Sequence, residues 1–170
     1  ILVFTQLDAP VIAAVNGTAA GAGVGLVVMA DLAVAAVGAK FSLAYTGVGL
    51  TPDGSTSYFL PRSVGHKRAM ELVLTNRVLS AAEALDWGLV NQVVPASLLD
   101  QTVNELAEKL YNKLPECTRY TKQQLNFWRD FSWAMTVAPP PGTVLDPVAP
   151  SAPRPALPPT WSASALVLMM

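Results

Sequence analysis

The chain has 170 residues and a formal net charge of −1, with 52% apolar and 14% charged residues. These values suit one soluble globular domain with a buried core, and the charge balance argues against binding to nucleic acid or to an anionic membrane surface. Cys117 is the single cysteine and His66 the single histidine, which leaves no basis for a disulfide framework, a His/Cys metal site or a Ser-His-Asp triad. We expect a cytoplasmic protein with His66 on an exposed helix face, because no signal peptide and no bilayer-spanning run is evident.

A short strand followed by a glycine-rich helix start is the central feature of the sequence. Residues 10–15 are apolar and partly β-branched, and the Asn-Gly pair at 16–17 predicts a turn. Gly21, Ala22 and Gly23 then form the first turn of a predicted helix. The first N–H groups of such a helix are unpaired and uncovered by side chains, so the sequence predicts a site for an anion or an oxyanion.

Strand and helix patterns alternate through the following residues. Pro52-Asp53-Gly54 predicts a turn that places Asp53 to cap the next helix. Pro61 and Gly65 predict breaks in the chain beyond that helix. Ser80 to Glu83 predicts a capping box. Strands are predicted at 32–36, 41–44 and 89–94, and helices at 55–60, 66–75, 80–88, 97–115 and 117–130.

The last helix and the residues beyond it differ in character. Tyr120, Leu125, Phe127 and Trp128 recur at a spacing that predicts packing against a core or a partner subunit. From Ala138 onward the chain carries nine of its fourteen prolines and few charges, which predicts an extended tail without helix or sheet. An aberrant end after about residue 137 and a genuine Pro/Ala linker both fit this tail.

These motifs resemble the enoyl-CoA hydratase/isomerase (crotonase) superfamily over residues 1 to about 135. The resemblance rests on the motifs at 9–17, 21–23, 29–32, 49–54, 60–65, 81–84 and 88–90. The stretch 50–62 is most similar to the phenylacetate-pathway isomerases that act on 2-(1,2-epoxy-1,2-dihydrophenyl)acetyl-CoA, and it is also similar to Δ3,Δ2-enoyl-CoA isomerases. The resemblance implies an α/β crotonase fold, a spiral of ββα units, with a partial core at 1–95 and an oligomerisation region at 96–137. Composition, and not the resemblance, predicts a disordered tail at 138–170.

The resemblance also implies chemistry on an acyl-CoA thioester. The Ala22 N–H would stabilise the enolate oxygen in an oxyanion hole, with Gly21 and Gly23 allowing close approach. The second oxyanion donor belongs to an N-terminal portion that members of this superfamily carry before residue 1, so the chain resembles a fragment. No cofactor is implied beyond the coenzyme A of the substrate, and the partners implied are other copies of the chain in a homotrimer or hexamer.

The acid or base of the reaction is the point on which the alternatives differ. Hydratases of the superfamily use two glutamates, and those places hold Gly25 and Tyr45 here, so a hydratase mechanism is disfavoured. Asp53 stands where some isomerases place their catalytic acid, although sequence chemistry alone favours an ordinary turn or N-cap. Tyr45 is interpreted either as a hydrogen-bonding group of the substrate pocket or as a packing residue.

The sequence therefore predicts an acyl-CoA isomerase with Asp53 as the acid and base. A non-catalytic acyl-CoA-binding protein and an inactive fragment are the alternatives. A dinucleotide site is disfavoured, because Leu26 stands where the G-x-G-x-x-G motif requires its last glycine.

Overall fold

The core is built on a parallel sheet flanked by helices. The computed structural model describes residues 7–134 and 166–169. Its strands are β1 (Val11–Val15), β2 (Thr18–Ala20), β3 (Leu32–Ala36), β4 (Lys40–Ser42), β5 (Leu79–Ser80), β6 (Gln92–Val94) and β7 (Leu166–Met169). Its helices are α1 (Ala22–Met29), α2 (Thr56–Val64), α3 (His66–Thr75), α4 (Ala81–Asp86), α5 (Leu99–Tyr111) and α6 (Pro115–Ala134), with 3₁₀ turns at Thr46–Val48 and Ala96–Leu98.

β1 lies inside a four-stranded sheet in the order β6-β3-β1-β7, in which neighbouring strands are parallel. All five residues of β1 are buried, as expected for a parallel strand covered on both faces. Ala13 and Ala33 belong to a cluster that includes α1, α2 and α3, whereas Ile12 and Val34 pack with Leu99 on the opposite face. The sheet is therefore the middle layer between two apolar clusters.

A second sheet, in the order β2-β4-β5, positions the start of α1. β2 pairs with β4 in parallel, and the Gly21 N–H directly after β2 donates to the Ser42 carbonyl at 2.9 Å. α1 is then buried along most of its length, since its apolar and glycine residues pack against β1, β2 and α2. This packing fixes the direction in which the first turn of α1 faces.

The strands predicted at 10–15, 32–36 and 89–94 and the predicted helices are confirmed, with shifts at their ends, whereas β2 and β5 were not predicted. Three local expectations are wrong. The Asp53 side chain does not cap α2, whose N-cap is Ser55 without a side-chain hydrogen bond. Pro61 lies inside α2 rather than ending it, and the strand expected at 41–44 covers Lys40–Ser42.

The C-terminal expectations have mixed outcomes. Tyr120, Leu125 and Phe127 are exposed, so the expected packing against this chain's own core is wrong for them, and packing against a partner subunit stays a prediction. Residues 138–165 lie outside the described residues. Residues 166–169 form β7, where the sequence predicts no strand, and their backbone pairs in parallel with the edge of β1. Among the described residues, no helix combines the length and apolarity required to span a membrane.

The capping box of α4 is confirmed and sets one pH-dependent contribution to stability. Glu83 accepts hydrogen bonds from the Ser80 N–H at 3.0 Å and from the Ser80 hydroxyl at 2.7 Å, and it forms an ion pair with Arg77. The Ser80 backbone bond, the Ser80 hydroxyl and Arg77 lower the pKa of Glu83 from its ordinary value of 4.5.

Replacing Glu83 by glutamine should therefore reduce the loss of stability in acid. A carboxyl whose pKa is lowered on folding contributes stability that is present above pH 4.5 and lost as the pH falls through the folded pKa. Urea unfolding across the acidic range should show a shallower decline for Glu83→Gln than for the wild type. Glu108→Gln, on the exposed face of α5, is the matched control, and an unchanged slope in Glu83→Gln would contradict the assignment.

Candidate functional site

The first turn of α1 presents an uncovered backbone N–H group. Gly21 is the N-cap with φ 52° and ψ −119°, a conformation that glycine adopts without strain, and no side chain caps the helix. Ala22 is exposed, and no acceptor for its N–H is found among the described residues. This N–H carries the partial positive charge of a helix N-terminus, so it can donate to a ligand oxygen that becomes negatively charged.

Small residues allow the neighbouring elements to approach this turn closely. A Cβ atom at Gly21 would lie 3.9 Å from the Tyr45 ring, and one at Gly23 would lie 3.8 Å from the Ala19 side chain. One turn further on, a Cβ at Gly25 would lie 3.7 Å from the Gly54 carbonyl oxygen. The start of α1 therefore packs against the two segments that carry Tyr45 and Asp53.

Those two groups, Tyr45 and Asp53, are joined by a hydrogen bond. The Tyr45 hydroxyl donates to Asp53 Oδ1 at 2.6 Å. Tyr45 is buried, with 6% of its surface exposed, whereas Asp53 is exposed beside the start of α2. The buried phenol thus holds one carboxylate oxygen of Asp53 in place.

The backbone around this pair is unusual. Ala44, directly before Tyr45, has φ 51°, and Ser55, two residues after Asp53, has φ 62°. Non-glycine residues in this region are strained by roughly 1–3 kcal/mol each and cluster at functional sites. Ser55 follows Gly54, which has φ 56°, so two successive residues with positive φ lead the chain into α2.

Burial and the neighbouring carboxylate raise the pKa of Tyr45 above its ordinary value of 10.0. Burial is the largest cause, followed by the hydrogen bond to Asp53, and a smaller effect from Thr56 acts in the opposite direction. Tyr45 therefore remains a protonated donor to Asp53 at neutral pH.

The raised pKa predicts an alkaline signature. Since folding raises this pKa, the folded chain retains its phenolic proton longer, and the associated stability is fully present below pH 10 and lost as the pH rises through the folded pKa. In tyrosinate absorbance titrations, the difference between wild type and Tyr45→Phe should show one group that ionises above pH 10. The matched control Tyr111→Phe removes an exposed tyrosine, and a Tyr45 difference signal below pH 10 would contradict the prediction.

The structure brings together the five residues that the sequence predicts for the site. Gly21, Ala22 and Gly23 form the helix start, and Tyr45 and Asp53 form the hydrogen-bonded pair beside it. The packing interpretation of Tyr45 agrees with its buried ring, and its hydroxyl donates to Asp53, whereas a role of Tyr45 in a substrate pocket stays a prediction. The roles of these residues in catalysis stay predictions.

Thr56 lies beside the site without any sequence motif that predicts it there. This residue is the first of α2 and is completely buried, and its hydroxyl has no hydrogen-bond partner among the described residues. The same hydroxyl oxygen lies 2.7 Å from the position that a Cβ at Gly25 would occupy. A threonine at a helix start is too common in sequences to have signalled this arrangement, although the nearby glycine was visible.

A cavity of about 800 Å³ lies at the opposite end of α1, between α2 and α6. Neither Ala22 nor Asp53 lines it, so it is separate from the candidate site. Its buried cation, Lys122, binds Asp31 Oδ2 at 2.7 Å and the Ala9 carbonyl oxygen at 2.9 Å. Asp31 also accepts the Val11 N–H at 2.7 Å, so this ion pair joins α6 to the start of β1 as a structural contact.

Comparison with known proteins gives the family. The family model described as enoyl-CoA hydratase/isomerase matches residues 2–132. The chain is 44% identical over 105 residues to a 4-chlorobenzoyl coenzyme A dehalogenase of Arthrobacter, covering 62% of this chain and 38% of that protein. It is 42% identical over 121 residues to the 1,2-epoxyphenylacetyl-CoA isomerase of Escherichia coli, covering 71% of this chain and 46% of that protein.

A solved structure of the same family also matches the chain. The enoyl-CoA hydratase/isomerase from Cupriavidus metallidurans superposes with a TM-score of 0.73 at 41% identity, covering 79% of this chain and 52% of that one. The chain thus spans less than half the length of the two curated relatives named above. The fold is the expected α/β crotonase fold, and the chain belongs to the enoyl-CoA hydratase/isomerase family, whose members act on acyl-CoA thioesters.

Proposed function

We propose that this chain carries the site of an acyl-CoA isomerase that uses one carboxylate, Asp53, as both acid and base. The observation that carries the proposal is the 2.6 Å hydrogen bond from Tyr45 to Asp53, next to the helix start that offers the Ala22 N–H. A held carboxylate and an uncovered backbone donor are the two groups that enolate chemistry requires.

In the proposed reaction, the thioester oxygen accepts the Ala22 N–H. Asp53 Oδ2 removes a proton from one carbon of the acyl group, and the electron pair moves into the thioester to form an enolate. The protonated Asp53 then returns the proton to a different carbon as the enolate collapses, so the double bond moves and no atom is gained or lost. Tyr45 keeps Oδ1 in place throughout.

Water addition is disfavoured on the same geometry. The family resemblance aligns Gly25 and Tyr45 with the two glutamates of hydratases, and neither residue carries a carboxylate. Gly25 is moreover covered by the Thr56 hydroxyl, 2.7 Å from where a side chain would begin.

The proposal includes no cofactor beyond the coenzyme A of the substrate and a cytoplasmic location. It also includes a homotrimer or hexamer, since Tyr120, Leu125 and Phe127 expose 44–67% of their surface on α6. Light scattering of the native protein, with Leu125→Glu as a disrupting variant and Gln124→Glu as its control, tests the assembly.

The activity is tested by following 3-enoyl-CoA and 2-enoyl-CoA with the native protein in one experiment. We expect conversion of 3-enoyl-CoA to 2-enoyl-CoA, exchange of the transferred proton with deuterated water, and negligible addition of water to 2-enoyl-CoA. Binding of acyl-CoA without turnover of either substrate would favour the non-catalytic binding protein, and fast water addition would overturn the isomerase.

Dehalogenation is the second candidate, favoured by the 44% identity to the Arthrobacter dehalogenase. A carboxylate fixed by Tyr45 through Oδ1 could attack a halogen-bearing ring carbon through Oδ2, expelling halide and forming an ester that water then hydrolyses. Release of chloride from 4-chlorobenzoyl-CoA, without isomerisation of 3-enoyl-CoA, would select this reaction.

A further inference from the structure

The cavity between α1, α2 and α6 has the size and the walls of a small-molecule site. Its volume of about 800 Å³ lies within the range of roughly 300–1,000 Å³ that ligand pockets occupy. Val28, Met29 and Phe59 on its walls are buried apolar residues. Leu32 and Leu110 extend the same apolar lining. A ligand that fills this cavity therefore has an apolar body.

The charged side chains around the cavity are mostly cationic. Among the described residues that line it, Asp31 is the only carboxylate, whereas the cations are Arg62, Lys113, Lys122 and Arg129. Asp31 binds Lys122 at 2.7 Å, so these two charges offset each other. Arg62 and Lys113 form no ion pair within the described part of the chain. A cleft with apolar walls and charges of one sign focuses their potential, so this cavity attracts an anion.

The two arginines lie against aromatic rings at one wall. The guanidinium carbon of Arg62 is 3.8 Å from the centre of the Tyr58 ring, and that of Arg129 is 4.8 Å from the centre of the Phe59 ring. Arg62 also donates to the Tyr58 carbonyl oxygen at 2.9 Å. These contacts hold the Arg62 side chain in place, and a guanidinium offers several further N–H donors that match the two oxygens of a carboxylate.

We propose that this cavity binds a single-chain carboxylic acid, with the carboxylate at Arg62 and Lys113 and the chain along the apolar walls. The proposal does not depend on the proposed function, because neither Ala22 nor Asp53 lines the cavity. It requires a ligand with both a negative charge and an apolar body, which gives the experiment its two comparison compounds.

Isothermal titration calorimetry of the native protein with decanoate tests the proposal. We expect one decanoate to bind per chain, with an affinity that falls as salt is added. Decanol, which lacks the charge, and acetate, which lacks the chain, should each bind at least tenfold more weakly. Decanol that binds as tightly as decanoate would overturn the role of the cations.

Arg62→Gln and Lys113→Gln locate the carboxylate. Each should weaken decanoate binding about tenfold, the scale of one lost charge-assisted hydrogen bond. Both residues are exposed, so the melting temperature should not change. Lys109→Gln is the matched control, since Lys109 is exposed one turn before Lys113 and does not line the cavity. Wild-type affinity in both Arg62→Gln and Lys113→Gln would overturn the site.

Two further measurements separate this cavity from the acyl-CoA site and from an interface. Asp53→Asn should bind decanoate as the wild type does, and this binding would stand even if the native protein failed to isomerise 3-enoyl-CoA. Light scattering should show the same assembly for wild type, Arg62→Gln and Lys113→Gln. A change of assembly without a change in decanoate affinity would show that a second copy covers the cavity, and the proposal would be wrong.

Discussion

Asp53→Asn is expected to lower the rate of 3-enoyl-CoA isomerisation by about 10²–10⁴-fold, the usual contribution of a positioned acid or base. Asparagine has nearly the same shape as aspartate and still accepts the Tyr45 hydrogen bond, so the loss would be chemical rather than structural. Steady-state kinetics of the native protein should show the change in kcat, with KM nearly unaffected.

Asp86→Asn is the control for this prediction, because Asp86 is an exposed aspartate whose partner, Arg68, lies on the surface. It should retain the wild-type rate. Tyr45→Phe should lie between the two, since the carboxylate remains but loses the donor that fixes Oδ1. Equal rates for wild type and Asp53→Asn would show that Asp53 is a turn residue, as one interpretation of the Pro-Asp-Gly motif holds.

Ala22→Pro should reduce kcat by about 10²–10³-fold, the typical effect of removing one oxyanion donor. Proline removes the N–H, and Ala22 is the first residue of α1, a position where proline fits a helix without breaking it. The preceding residue is Gly21, which has no Cβ to clash with the proline ring. The fold should therefore survive while the donor is lost.

Ala22→Gly is the matched variant, since it keeps the N–H and removes only a methyl group. Its rate should stay within a few-fold of wild type, and circular dichroism should show the same helix content for all three proteins. If Ala22→Pro folds and turns over substrate at the wild-type rate, the uncovered N–H does not bind the thioester oxygen.

The local pattern of the chain predicts much of this fold. Apolar strands such as β1, the glycine-rich start of α1 and the capping box at Ser80 each have a short-range cause that is visible in the sequence. The candidate site residues were also visible, because the family motif marks Ala22 and Asp53 at positions where the structure brings their segments together.

What the sequence does not predict depends on contacts between distant residues. The neighbouring residues predict Asp53 as a helix cap. In the structure, Gly54 and Ser55, which both have positive φ, separate Asp53 from α2, and the Asp53 carboxylate accepts a hydrogen bond from Tyr45. Pro61 predicts the end of a helix, although α2 continues to Val64. Thr56 lies close to Gly25, which is thirty-one positions earlier in the sequence, and no local pattern connects the two residues.

The pairing of β7 with β1 also bears on self-association. β1 carries the apolar sequence Val-Ile-Ala-Ala-Val, and β3 occupies one of its edges while residues 166–169 occupy the other. An open edge on so apolar a strand would be a template for cross-β stacking between molecules. By occupying this edge, the last strand protects β1 against fibril-like aggregation.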